Sequence, residues 1–291
     1  MPTVLLTGAS GFIGSRLLER LDVSHDVIAF SRPETNAKMR SAREADQRNT
    51  IVHGNFTSYE DLQALNSHRI DVLVHLAADL GDSEDTSLSV NVLGTRTLLR
   101  YLIDRNCKRF VLASSIAVAG GSSEAFVPRQ LPIPDDYPCE AIDPYGISKA
   151  LMEEIAFYHH RLAQDLEFTL LRLGAALDVE QADAETLLSR TTTPFIDGGG
   201  MLCVDDGVEA FALAVEKPLG PGARRFNVVG DESNTSVPVP EALEESLGNR
   251  VSTLDMEYYR REARERASLY STDAFCAAYG FQPATRPGTR P

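Results

Sequence analysis

The stretch Val4–Leu17, VLLTGASGFIGSRL, constrains the fold more than any other part of the chain. Val4, Leu5 and Leu6 form a short apolar run closed by a turn signal, the pattern of a buried parallel strand. Gly8, Gly11 and Gly14 follow at three-residue spacing, and Phe12, Ile13, Leu17, Leu18 and Leu21 then take helical spacing. Strand, glycine turn and helix in that order make a cradle for a dinucleotide pyrophosphate. Gly8 permits the tight turn, Gly11 lets backbone approach the phosphates, and Gly14 allows the helix to pack closely on the strand. The first N–H groups of the helix and its positive dipole end would face the anion. An ordinary glycine turn between strand and helix fits the triplet as well. The spacing is GxxGxxG, which departs from the GxGxxG of the common dinucleotide fingerprint.

With 291 residues the chain can bury a sizeable core, as one large domain or as a large and a small one. Its net charge of −14 argues against nucleic acid or an anionic membrane surface as partner. A site for an anionic cofactor must therefore be locally basic. Cys107, Cys139, Cys203 and Cys276 show neither CxxC pairing nor metal spacing, so they read as reduced thiols and no metal site is expected. No apolar run approaches the ~18–20 residues of a membrane span, and the start lacks a basic leader, so a cytoplasmic location is expected.

A second strand is predicted over Asp26–Phe30, ending in Ser31 and Arg32. An acid at this point accepts hydrogen bonds from a ribose 2′-hydroxyl and selects NAD, whereas an arginine pairs with a 2′-phosphate. Here Arg32 stands in that place, with Lys38, Arg40 and Arg43 beyond it, so NADP is favoured over NAD. A solvated basic helix face is the competing reading. Further strands are predicted over Thr50–His53, Asp71–Leu76, Arg109–Ala113, Phe168–Leu173 and Arg225–Val229. Helices are predicted from Glu60 to Leu65, Thr86 to Ile103, Val208 to Val215, Pro238 to Leu247 and Ser271 to Phe281. His75 reads as a satisfied core histidine. Ser115 follows the Arg109–Ala113 strand, where open α/β sheets bind ligands. The proline-rich Gly120–Asp143 segment is long for a compact domain and is expected to border the substrate. Asp143-Pro144 reads as a helix start, with Asp as N-cap and Pro at the first position. Tyr145 and Lys149 then share a helix face at i and i+4, and Ile147, Leu151, Ile155 and Leu162 are expected to form the core stripe.

Tyr145-Gly-Ile-Ser-Lys149, the strand-end serine and the N-terminal TGASGFIGS occur in the order found in the short-chain dehydrogenase/reductases. The chain resembles their extended, epimerase/dehydratase-like branch over most of residues 3 to 230. The resemblance implies an α/β fold, a Rossmann-like doubly wound parallel sheet with a small C-terminal substrate-binding subdomain. Residues 1–173, with 201–230 returning to them, would bind NAD(P), and 174–200 and 231–291 would form the small subdomain. It implies a Ser115, Tyr145, Lys149 catalytic set. Tyr145 would exchange a proton with a substrate hydroxyl or carbonyl oxygen, and Ser115 would orient that oxygen. Lys149 and a cationic nicotinamide ring would lower the phenol from its ordinary value of about 10. It also implies cofactor contacts from Gly8, Ser10, Gly11, Phe12, Ile13 and Gly14, then from Ser31 and Arg32. Asn55 and Phe56 would meet the adenine; Leu76, Ala77, Ala78 and Asn91, with Tyr145 and Lys149, would meet the nicotinamide ribose side. No proton-relay chemistry is assigned to Asn91. The Thr86–Ile103 and Tyr145–Leu162 helices would pair in a homodimer, although plain helix-on-sheet packing satisfies the first equally well.

Two departures narrow the expected reaction. Dehydratases of this branch carry an Asp-Glu pair after the serine, and this chain has Ile116-Ala117, which transfer no protons. Relatives acting on nucleotide sugars show an Asn or a Tyr-Gly-Pro stretch after the sixth strand, where this chain has Gly174-Ala175-Ala176-Leu177. The segment from Gly174 to Cys203 is short, about thirty residues, and leaves little wall for a large ligand. The expected function is therefore an NAD(P)-dependent oxidoreductase acting on a small sugar, sugar acid or similar compound. The alternatives are a nucleotide-sugar epimerase and a non-catalytic NADP-sensing protein.

Overall fold

A computed structural model describes residues 1–33, 49–81, 83–178, 195, 199–235 and 237–283. Lys38, Arg40, Arg43 and Gly198 lie outside the described residues. The N-terminal apolar run becomes β1 (Thr3–Thr7), the glycine turn follows, and α1 spans Phe12–Asp22. Then come β2 (Asp26–Ser31), β3 (Thr50–His53), a short helix α2 (Tyr59–Leu62) and β4 (Val72–His75). The next helical stretch is α3 (Glu84–Ser87), a π segment (Leu88–Gly94) and α4 (Thr95–Ile103). After it come β5 (Arg109–Ser115), α5 (Pro144–Leu162) and β6 (Glu167–Leu173). The remainder holds β7 (Ala175–Leu177), β8 (Met201–Cys203), α6 (Val204–Glu216) and β9 (Gly222–Val228). Two further helices, α7 (Val239–Leu247) and α8 (Asp273–Tyr279), close the described chain.

The main sheet runs β3-β2-β1-β4-β5-β6-β9, and β7 and β8 form a separate parallel pair. The ladders from β3 to β5 are parallel, with Thr7 of β1 level with Phe30 of β2 and His75 of β4. From β1 the chain winds outward to β2 and β3, then returns to place β4 on the other side of β1. That reversal is the switch point at which doubly wound sheets open a crevice for ligands. The Rossmann-like α/β class expected from the strand–glycine–helix start is the observed one.

The chain divides into two compact units, Met1–Ser114 with Ser148–Leu170 and Val208–Arg224, and Ser115–Ile147 with Leu171–Gly207 and Arg225–Pro291. The first unit is cored by Leu5, Phe30, Leu73, Leu98, Phe110, Met152 and Phe168 and their neighbours. The second packs Phe126, Tyr137, Phe195, Val229, Leu243, Tyr259 and Tyr270.

Four expectations are corrected. Of the expected α5 stripe, Ile155 packs against the core, but Leu151 is 39% and Leu162 62% exposed. The buried face carries Lys149, Met152, Glu153 and Ala156, at helical i, i+3, i+4, i+7 spacing. Two charged residues stand on it, so the hydrophobic pattern placed the centre of the buried face off by part of a turn. Helix α6 starts at Val204, four residues before the expected Val208, directly after β8. Asp205 and Asp206 sit in its first turn, where acids complement the helix dipole. The 86–103 helix contains the π segment, and the short strand β7 was not foreseen.

Candidate active site

The cradle is built at the end of β1. Gly8 has φ +76°, in the left-handed region that favours glycine, and a Cβ there would lie 2.7 Å from the Ala77 nitrogen. Gly11 N donates to Gly8 O at 2.9 Å, closing the turn, and a Cβ on Gly14 would reach 2.0 Å from Gly8 O. Only hydrogen fits between α1 and the turn. No side chain caps α1 and its first turn holds no acid, so its opening N–H groups suit an anion. Ser10 and Ile13 are half-buried beside this turn, and Phe12 is exposed with the Arg16 guanidinium 4.9 Å above its ring. These features fit a dinucleotide pyrophosphate on steric grounds.

Neighbouring strand ends extend the cradle. Thr7 O accepts from Leu76 N at 3.2 Å, and Thr7 Oγ1 lies 3.4 Å from Ala77 N. Ser31 is buried at the end of β2, with its carbonyl accepting from Gly54 N, and Arg32 is exposed just beyond. Asn55 N donates to Asp61 Oδ2, and Asn55 Oδ1 accepts from Thr57 N, so Asn55 shapes its own turn. Phe56 sets its ring edge-on to His75, with centroids 4.9 Å apart. Asn91, in the π segment, is buried and clamps the loop after Ala78. Its Oδ1 accepts from Asp79 N at 2.7 Å, and its Nδ2 donates to Asp79 O and to Ser148 Oγ. Both amide protons are thereby used within the protein. His75 bonds Thr7 Oγ1 and Thr95 Oγ1 through its two ring nitrogens. Burial, and secondarily the Lys149 charge, push it down to about 3, so it is a neutral core histidine as expected.

In the second unit, Ser115 and Tyr145 are brought together. Asp143 Oδ1 accepts from Gly146 N at 2.7 Å, capping the start of α5 as the Asp-Pro pair predicts. A Cβ on Gly146 would meet Ala117 O at 2.8 Å, so this helix start lies tight against the turn after Ser115. Ser115 Oγ accepts from Ala117 N at 3.1 Å, and the Tyr145 phenol shares a hydrogen bond with Ser115. Burial pushes the phenol above its ordinary range, the Ser115 bond works downward, and the Asp143 carboxylate adds upward. The amine one turn further along α5 donates to Ala113 O at 2.8 Å, and losing water costs the phenolate more than Ser115 restores. Lys149 is 3% exposed, and burial brings it down to about 8.

Sequence reasoning passed over Asp79, Ser114 and Glu153. Glu153 had a readable signal, its i+4 spacing from Lys149. Among the described residues, no group of His, Cys, Asp and Glu could hold a metal, and no helix is long and apolar enough to cross a membrane.

The model of the NAD-dependent epimerase/dehydratase family matches residues 4–187. UDP-glucose 4-epimerase of Halalkalibacterium halodurans is 30% identical over 240 residues, 80% of this chain and 63% of that protein. The Drosophila melanogaster UDP-glucose 4-epimerase is 32% identical over 53% of this chain and 47% of its own length. The chain thus spans about half the length of the curated relatives it matches. The solved dTDP-glucose 4,6-dehydratase of Bacillus anthracis, in complex with NAD, superposes with a TM-score of 0.69. It is 21% identical, covering 98% of this chain and 92% of that one, a likeness of fold alone.

Proposed function

The chain belongs to the NAD-dependent epimerase/dehydratase family, and on that premise we propose that it is an enzyme moving hydride and proton at a hydroxyl-bearing carbon of a small sugar-like substrate. The Ser115–Tyr145 hydrogen bond carries the reading. Gly8, Ser10, Gly11, Phe12, Ile13 and Gly14 would hold the pyrophosphate of a nicotinamide dinucleotide, and Asn55 and Phe56 would take the adenine. Leu76, Ala77 and Ala78, with the loop that Asn91 clamps, would line the nicotinamide ribose together with Lys149. When bound, the nicotinamide supplies hydride exchange. Tyr145, kept protonated by burial, delivers its proton to a carbonyl oxygen in reduction and takes it back from a hydroxyl in oxidation. Ser115 donates a hydrogen bond to the same oxygen and fixes its position.

Two features support a small substrate. Among the described residues after β6, the paired strands Ala175–Leu177 and Met201–Cys203 offer no charged side chain to a diphosphate. Ile116 and Ala117 are both buried and apolar, which disfavours elimination. Arg32, in place of an acid after β2, supports NADP over NAD. Exposed Leu93, Leu151 and Leu162 support the homodimer through the helices flanking the sheet. The curated relatives' name favours a second reading, a nucleotide-sugar epimerase.

Tyr145→Phe keeps the ring and removes the proton. Turnover is expected to fall by at least ~10²-fold with cofactor affinity little changed. Unaltered turnover would remove Tyr145 from the chemistry. A spectrophotometric panel of hydroxy acids, aldoses and uronic acids with each cofactor tests the substrate class. Micromolar calorimetric binding of a UDP-sugar, with the free sugars inert, would favour the epimerase. NADPH is expected to bind more tightly than NADH, with Arg32→Ala erasing the difference; equal affinities in the wild type would refute the assignment.

A further inference from the structure

Two consecutive residues at the end of β5 hold two charged groups of α5. Ala113 O accepts from Lys149 Nζ at 2.8 Å, and Ser114 Oγ donates to Glu153 Oε1 at 2.5 Å. Lys149 and Glu153 stand four apart on one helix face, 3% and 1% exposed. An isolated ion buried this deeply is costly, and a paired and hydrogen-bonded one is tolerated. We propose that Glu153, anchored by Ser114, is a positioning residue: its carboxylate is the buried counter-ion that keeps the Lys149 amine protonated for the role given to it above.

The surroundings leave this task to Glu153. His75 of β4 feels the Lys149 charge but is neutral. Tyr145, one turn earlier on α5, holds its proton. β5 supplies a carbonyl and a hydroxyl, which carry no charge. Burial lowers the amine, and Glu153 is the group that acts in the opposite direction. Glu153→Gln keeps the volume and a partner for Ser114 but removes the charge. A residue serving packing alone would leave the amine's titration where it was. A counter-ion would not.

The inference rests on the functional reading, but its test does not need turnover. The chain has four lysines, Lys38, Lys108, Lys149 and Lys217, so lysine labelled with 13C at Cε gives a simple spectrum. In the cofactor-free protein, with Lys149→Arg assigning the signal, the Lys149 midpoint is expected to fall by about one pH unit or more in Glu153→Gln. Glu153→Asp withdraws the charge by one methylene and is expected to lower it by less. An unchanged midpoint in folded Glu153→Gln overturns the proposal. If that variant does not fold, a Glu153→Asp midpoint equal to or above wild type overturns it. A wild type inert toward every substrate, with the shift still present, would count against the functional reading and leave the ion pair standing.

Discussion

The two compact units bury polar side chains for different reasons. In the first, parallel ladders satisfy the strand backbone, and many buried polar groups pair with one another, His75 with two threonines, Asn91 with Ser148, Ser114 with Glu153, while Asn91 and Lys149 also bond the backbone of Asp79 and Ala113. In the second, much of the chain is loop, and buried side chains satisfy the backbone itself. Arg172, 1% exposed, donates to the carbonyls of Asp135 and Tyr137. Asn227 Nδ2 donates to Ile133 O and Ser271 O, and Asn227 N donates to Asp135 Oδ1. Tyr259 Oη and Ser268 Oγ donate to the carbonyls of Ser268 and Gly199. Buried backbone must find partners somewhere, and where ladders are scarce side chains provide them.

The strongest test of this contrast is Arg172→Leu. It strands the buried Tyr137 carbonyl and the half-buried Asp135 carbonyl and removes a cation near Asp135, so a loss of at least about 3 kcal/mol is expected in urea unfolding. A loss under about 1 kcal/mol would break the distinction. Gly14→Ala probes the first unit, where backbone meets backbone. The added methyl meets Gly8 O, and a loss of about 1–3 kcal/mol is expected, with cofactor affinity down at least ~10-fold by calorimetry. Wild-type affinity in that variant would detach the cradle from the cofactor.

The smallest effect concerns Asp135, which burial pushes up from 3.8 to about 6. The folded state holds this proton more tightly than the unfolded chain. Its stabilisation is therefore fully present below pH ~3.8 and lost as pH rises through about 6. Asp135→Asn removes that dependence, so the variant should gain on wild type between pH 4 and 7, by roughly 2 °C or less in the melting midpoint. Parallel melting curves across that range would show that Asp135 does not titrate there.

The strands β1 to β6 were legible to within about two residues, because apolar runs bounded by turns have few other uses. The glycine cradle and the Tyr145 helix start were legible for the same local reason. The α5 stripe was not, since Lys149 and Glu153 occupy the buried face and apolar Leu151 and Leu162 the outer one. Periodicity reads apolar burial and is blind to buried charged side chains. The raised Tyr145 phenol was also illegible, because desolvation depends on neighbours far along the chain. Arg172 left a trace, a cation inside the apolar run LLRL, but nothing nearby in sequence names the carbonyls it serves.

The strand order also bears on how the polypeptide is made. β1 to β5 are complete in sequence by Ser115 and neighbour one another in the sheet without any later strand between them. β6 follows by Leu173, but its outer neighbour β9 begins only at Gly222. Until then β6, with Phe168, Leu170 and Leu171 in it, presents an open row of N–H and C=O groups to other nascent chains. A chain interrupted before Gly222 keeps that edge permanently and should be recovered as aggregate, while one released after Val228 carries its own cover.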